Sequence, residues 1–138
     1  LWEAKPLLKG KIVVLMADDI YAKEDIEKCL PYEQAILVYT QDRESPGGEV
    51  VLNKQGRLAD VLEKKAIPAG KLVSTNVFIL TPDFFNYEPV KLTDREDEWG
   101  LPQTVVRMSK DHPISVVEAT RWLKITTPDD LKIAEQLL

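Results

Sequence analysis

The chain has 138 residues, enough for a single domain spanning 1–138, and its 44% hydrophobic content can fill a core of that size. Its 23 acidic and 18 basic residues leave a net charge of −5 with no long run of one sign, which argues against a nucleic-acid partner held through the phosphate backbone. The lone cysteine, Cys29, excludes an intrachain disulfide, and no apolar run approaches the roughly 20 residues of a membrane span, so a soluble cytoplasmic protein with no membrane partner is expected.

The chain opens on Leu1 and Trp2, with neither an initiator methionine nor a signal segment, which reads as a missing beginning. Lys11 to Ala17 is a continuous apolar run rich in β-branched residues, predicting a strand buried on both faces near the centre of a parallel sheet. Asp18 and Asp19 follow, then a helix over Lys23 to Leu30 with Ile26, Cys29 and Leu30 on one face, stopped by Pro31. Ala35 to Thr40 reads as a second buried strand, completing a βαβ unit. Gly48 to Leu52 and Arg57 to Glu63 flank Asn53 to Gly56 as a β-hairpin, with Gly56 free to supply positive φ.

Leu72 to Leu80 is a further strand, and Thr81, Pro82 and Asp83 form the cap, first turn and dipole partner of a short helix. Tyr87 to Trp99 is highly charged and aperiodic, a surface loop. Leu101, Val105 and Met108 share a helical face, and Ile114 to Ala119 returns to strand. A closing helix starts at Thr127 and Pro128, with Leu131, Ala134 and Leu138 on its apolar face. The predicted fold class is therefore α/β, a three-layer Rossmann-like mixed, mainly parallel sheet with flanking helices.

Ligands of open α/β sheets bind at the carboxyl ends of the strands, where Asp18 and Asp19 lie. Mg²⁺ needs only one or two protein carboxylates plus substrate phosphates, so one aspartate here can anchor a nucleotide-linked metal. The other reading is that one of the pair caps the helix or holds the turn, and the two residues alone leave both open.

The run from Lys11 to Tyr21 resembles the strand and Gly-Asp-Asp turn of sugar-phosphate nucleotidyltransferases. Gly48 to Arg57 is similar to that family's Gly-Val-Val stretch and hairpin, Val61 to Lys64 to its Val-Glu-Lys-Pro segment, and Val73 to Phe85 to its strand before a short helix. Glu98 to Gln103 resembles a helix start of the family, and Trp122 to Leu131 closes the match, so that the blocks cover nearly the whole chain in order.

The resemblance implies a catalytic and metal-binding role for Asp18, through Mg²⁺. It implies that Gly48, Glu63 and Lys64 bind the sugar phosphate, with Lys64 orienting the acceptor in catalysis. Carboxylate to hydroxyl and ammonium to phosphate are sound pairings for those roles. Trp122 is either a stacking surface for the sugar or a packing anchor.

Three departures stand out. Lys124 and Thr126 occupy the aspartate and glycine positions of the usual Trp-x-Asp-x-Gly-Thr-Pro motif, so the two-aspartate magnesium site is not assembled, and Lys124 is expected to neutralise phosphate itself or to weaken catalysis. Ala17 replaces the turn glycine, and Ser74-Thr75-Asn76 stands where the family has Asn-x-Gly. The Gly-rich, arginine-containing loop that holds the triphosphate does not occur, so the chain reads as the C-terminal portion of such an enzyme. Cys29 and His112 have no partner spacing for a zinc site or a nucleophile–base pair.

The expected function is nucleotidyl transfer from a nucleoside triphosphate to a sugar phosphate, in-line and without a protein nucleophile, with those two molecules as partners. The alternatives are a non-catalytic sugar-phosphate or nucleotide-sugar binding domain, favoured by Lys124, and an unrelated α/β domain for protein contacts. A truncated chain exposes a strand edge and an apolar face, so self-association as a homo-oligomer stays open.

Overall fold

The computed structural model describes residues 1–92 and 98–137. A 3-10 turn over Trp2–Leu7 leads to β1 (Ile12–Val14), β2 (Ile20–Tyr21), α1 (Lys23–Cys29) and β3 (Ala35–Thr40). Then come β4 (Ser45–Leu52), β5 (Leu58–Ile67), β6 (Leu72–Leu80) and a 3-10 turn over Pro82–Asn86. The chain finishes with β7 (Val90–Lys91), β8 (Trp99–Gly100), α2 (Leu101–Met108), β9 (Ser115–Glu118), β10 (Trp122–Leu123) and α3 (Pro128–Leu137). Part of the expected surface loop, 93–97, and Leu138 of the closing helix lie outside the described residues.

The main sheet has the order β5-β4-β6-β3-β9, with β1 on β6. One face carries the larger core, in which Ile36, Phe78, Leu80 and Ile114 meet Phe84, Val105 and Met108. The opposite face carries a smaller cluster of Leu37, Val77 and Ile79 under Cys29 and Ile26 of α1. The α/β class, the mixed sheet and the helical layers on both faces match the sequence expectation.

The expected dominance of parallel pairing does not hold. Among the described residues of this sheet only β3 and β9 pair in parallel, while β6 is antiparallel to β1, β3 and β4. Burial on both faces had suggested parallel strands, but burial follows from helices covering both sides and carries no information on strand direction. β6 demonstrates this, with Val77 to Leu80 fully buried in antiparallel pairs.

The place expected for the first strand also changes. The central strand is β6, bordered by β3 on one side and by β1 and β4 on the other. β1 keeps only Ile12 buried, and Val13, Leu15 and Met16 are exposed. Since β1 and β3 are both antiparallel to β6, they run parallel to one another, and α1 connects them across an inserted strand.

Local chemistry explains the hairpin and the helix ends. Asn53 Oδ1 accepts from the backbone N–H of Gln55 at 2.9 Å and of Arg57 at 3.0 Å, while Gly56 takes φ of +71°. Only a residue tolerant of the left-handed region closes that loop without strain. Thr81, expected as a side-chain cap, instead accepts from Gln34 Nε2 at 2.6 Å and returns its N–H to Gln34 Oε1 at 3.1 Å.

At α3, Asp130 reaches back to accept from the N–H groups of Thr126 (3.0 Å) and Thr127 (2.7 Å) and from the Thr127 hydroxyl. These bonds hold its carboxyl below the ordinary carboxylate range. That reach turns Asp130 and Ala134 toward the body and leaves Leu131 53% exposed, against the expectation of a buried Leu131. In α1 the inward residues are Asp25 and Cys29, with Leu30 exposed.

Candidate functional site

The carboxyl ends of β3 and β9, the start of β4 and the far end of β5 gather at one pole of the sheet. The turn after β1 and the strand β10 arrive at the same pole, because β10 pairs with β2 through Trp122–Tyr21 and Leu123–Ile20. The predicted residues are thus brought to one end of the molecule, although they do not all line one cavity.

The two aspartates divide the work that the sequence left open. Asp19 Oδ2 accepts from Trp122 Nε1 at 3.0 Å, and its Oδ1 accepts from the Ile125 N–H at 3.2 Å. The Tyr21 hydroxyl lies 3.3 Å from Asp19 Oδ2 and 3.0 Å from the Thr75 carbonyl, to which it donates. Burial first, and then the Asp19 charge, push that hydroxyl well above its ordinary range, so it remains a donor at neutral pH. Asp18 is exposed, and among the described residues no hydrogen bond or ion pair engages it.

Asp25 positions the segment that carries Trp122. Fully buried in the first turn of α1, it accepts through Oδ2 from the Thr120 N–H (2.7 Å), the Thr120 hydroxyl (2.9 Å) and the Arg121 N–H (3.2 Å). Its Oδ1 accepts from Lys28 Nζ at 2.8 Å. Burial raises its pKa, but the hydrogen bonds from Lys28, Thr120 and Arg121 outweigh that and hold it below the ordinary range.

The hairpin residues sit together in part. Gly48 is directly opposite Glu63, and Gly47 opposite Lys64. A Cβ at Gly48 would stand 2.7 Å from Val61 Cγ1 and 3.2 Å from Glu63 Oε1, so only glycine permits this approach. Gly48→Ala is expected to lose about 2 kcal/mol, within the range for overpacking against a buried neighbour, seen as a lower urea midpoint; an unchanged midpoint would mean Val61 yields freely.

Successive residues of a strand face opposite sides, so Glu63 projects on the face of Val61 and Gly48, and Lys64 on the other. Lys64 is ion-paired with Glu49, a residue without a role in the sequence reading. Register alone can reveal such a partner, since the two strands must first be aligned.

A cleft of about 690 Å³ opens between the 41–46 segment, β10 and the start of α3. Trp122 and Lys124 line it, with Tyr39, Arg43 and Pro46 among the other walls. Tyr39 meets Trp122 edge-to-face at 5.9 Å between ring centres. Asp18, Gly48, Glu63 and Lys64 border this pole outside the cleft itself.

Gln41, also missed in the sequence, is buried and shapes the wall by donating to the Ile67 carbonyl and accepting from the Ser45 hydroxyl at 2.8 Å. Between Leu37 and Val38 the register with β6 shifts, and Asn76 takes φ of +60° at that irregularity. Asparagine tolerates the left-handed region better than most residues, which suits a position where the resembled pattern has glycine.

Among the described residues no three His, Cys, Asp or Glu side chains gather as a metal cage. With Asp19 committed to Trp122 and Ile125, and Lys124 at the second position, the turn offers one free carboxylate, Asp18. That fits Mg²⁺ arriving with substrate phosphates, and does not fit a two-carboxylate site.

The fold is that of the nucleotidyltransferases: the chain superposes on the inositol-1-phosphate CTP transferase of T. maritima with a TM-score of 0.69 over 97% of this chain and 58% of that one, at 16% identity. Its homologues are sugar-phosphate nucleotidyltransferases and related transferases. It is 30% identical over 98 residues to the bifunctional sugar-1-phosphate nucleotidylyltransferase/acetyltransferase of Sulfurisphaera tokodaii, covering 70% of this chain and 24% of that protein. It is 21% identical over 141 residues to the bifunctional IPC transferase and DIPP synthase of Thermococcus kodakarensis, covering 98% of this chain and 31% of that protein. The chain thus spans between a quarter and a third of these relatives' length. No family model matches the chain.

Proposed function

We propose that this chain carries the acceptor side of a sugar-phosphate nucleotidyltransferase, whose partners are a nucleoside triphosphate and a sugar phosphate. The observation that supports the reading is the convergence of a free aspartate, Asp18, an aromatic-lined cleft holding Trp122 and Lys124, and the Gly48–Glu63–Lys64 hairpin at one pole. A relative named for sugar-1-phosphate nucleotidyl transfer and a fold neighbour named as an inositol-1-phosphate CTP transferase support a phosphorylated acceptor as the common element.

The reaction is in-line attack by an oxygen of the acceptor phosphate on the α-phosphorus, forming one P–O bond as the bond to pyrophosphate breaks. The chain's residues bind and orient. Trp122, fixed by its bond to Asp19, presents an apolar surface to the sugar, and Lys64 and Lys124 draw its phosphate to the pole, while Glu63, on the other face of its strand, packs against Gly48. Asp18 would hold Mg²⁺ together with the triphosphate, and the ion would supply charge neutralisation on the reacting phosphates.

The test is pyrophosphate release by the native gene product, with each nucleoside triphosphate offered alongside a panel of sugar and inositol phosphates in magnesium. Release with one pair establishes the reaction and names the acceptor. Lys124 at the second metal position favours a second reading, a domain that binds phosphorylated sugars without turnover. Binding of an acceptor with no release from any pair would replace the first reading by the second.

A further inference from the structure

We propose that Lys64 and Lys71 together form a two-cation seat for the acceptor's phosphoryl group, which Glu49 occupies in the unliganded chain. The inference rests on the reading that this pole receives a phosphorylated acceptor.

The Glu49 side chain is only 14% exposed, yet it comes from a strand at the border of an open cleft. Its Oε2 is paired with Lys64, and Lys71 Nζ stands 3.9 Å from its Oε1. The two lysines are 43% and 56% exposed, so their outer sides remain open to an incoming ligand.

Strand register places this cluster beside the cleft. Glu49 and Tyr39 lie opposite Val73 from its two sides, which puts both on one face of the sheet. Gly47 faces Lys64, and a Cβ there would meet nothing nearer than Ile67 Cδ1 at 3.9 Å. The surface over Gly47 beside Lys64 is therefore open, and Ser45 and Pro46, immediately before it, belong to the cleft wall with Trp122 and Lys124.

Charge decides what this seat accepts. The hydrogen bond from Lys64, with the nearby charges of Lys64 and Lys71, holds the Glu49 carboxyl below its ordinary range, so it competes as an anion at neutral pH. A monoanion offers the lysines no more than Glu49 already does. A phosphoryl group brings nearly two charges and three acceptor oxygens, enough to pair with both ammonium groups and displace the carboxylate. Glu49 is thereby a specificity determinant for a phosphoryl dianion.

The experiment titrates the full chain with inorganic phosphate and, separately, acetate, following the Gly47 and Gly48 amides by NMR. Glu49→Gln is nearly isosteric and is expected to tighten phosphate about tenfold, the effect of one partly screened charge at this range, and to let acetate bind. Lys71→Met is expected to weaken phosphate about tenfold at an unchanged thermal midpoint. Unchanged phosphate affinity in Glu49→Gln, or wild-type affinity in Lys71→Met, overturns the seat. If both shifts occur but the native gene product releases no pyrophosphate, the seat stands and the transfer reading falls. If release proceeds with an unaltered acceptor KM in both variants, the transfer reading stands and the seat falls.

Discussion

Asp25→Ala is expected to destabilise the chain by about 3 kcal/mol, the scale of removing one partner from a buried, hydrogen-bonded charge. The variant leaves the N–H groups of Thr120 and Arg121 without their acceptor at a point where α1 is docked on the segment leading to β10. Lys28, half exposed, turns to water and contributes little to the loss. The urea midpoint reads the effect, and a loss under about 1 kcal/mol would show that water or a shifted Thr120 replaces the carboxylate.

The same residue predicts acid lability. Its native pKa is lowered relative to the ordinary 3.8, so the unfolded chain takes up the proton first as pH falls. Stability from Asp25 is complete above the unfolded value and is lost as pH drops through it toward the native one. Asp25→Asn is expected to be less stable at neutral pH and to show a flatter stability–pH profile below pH 4. Parallel wild-type and variant profiles would remove Asp25 as the source.

The second large effect separates two neighbours in the sequence. Asp18→Ala is expected to leave the thermal midpoint unchanged, since the residue is exposed and has no hydrogen bond or ion pair among the described residues, and to cut magnesium-dependent pyrophosphate release by the native gene product at least about a hundredfold, the scale of losing one charge-stabilising group. Asp19→Ala is expected to lower the midpoint by removing the acceptor of Trp122 Nε1 and the Ile125 N–H. It would impair release only through a displaced Trp122, raising the acceptor KM more than it lowers kcat. Equal behaviour of the two variants in both assays would contradict the division of roles.

Much of this architecture is legible before any coordinates. Asn53 and Gly56 announce the hairpin because turn geometry is a local property, and Leu101, Val105 and Met108 announce α2 because a helix face repeats at short range. The order of motifs from Asp18 to Leu131 identified the homologues. What escaped depends on distant partners. The direction of β6 is set by three strands that the chain reaches at different times, and nothing local singles out Asp25 until Thr120 is placed against it. Asp18 and Asp19 are chemically identical in sequence, and only the arrival of Trp122 distinguishes them.

The insertion of β6 between β1 and β3 bears on how the chain acquires its shape during synthesis. Residues 12–40 contain β1, β2, α1 and β3, yet β1 and β3 have no bond to each other and must wait for the segment 72–80 to be made. This segment is therefore a poor autonomous folding unit, since its closure waits for Ile12 to pair with Leu80 and Ala35 with Ile79. A nascent chain arrested before Leu80 clears the ribosome would leave Ile36 and Val38 without their cover, the state in which chaperone capture or misassociation competes most strongly with folding.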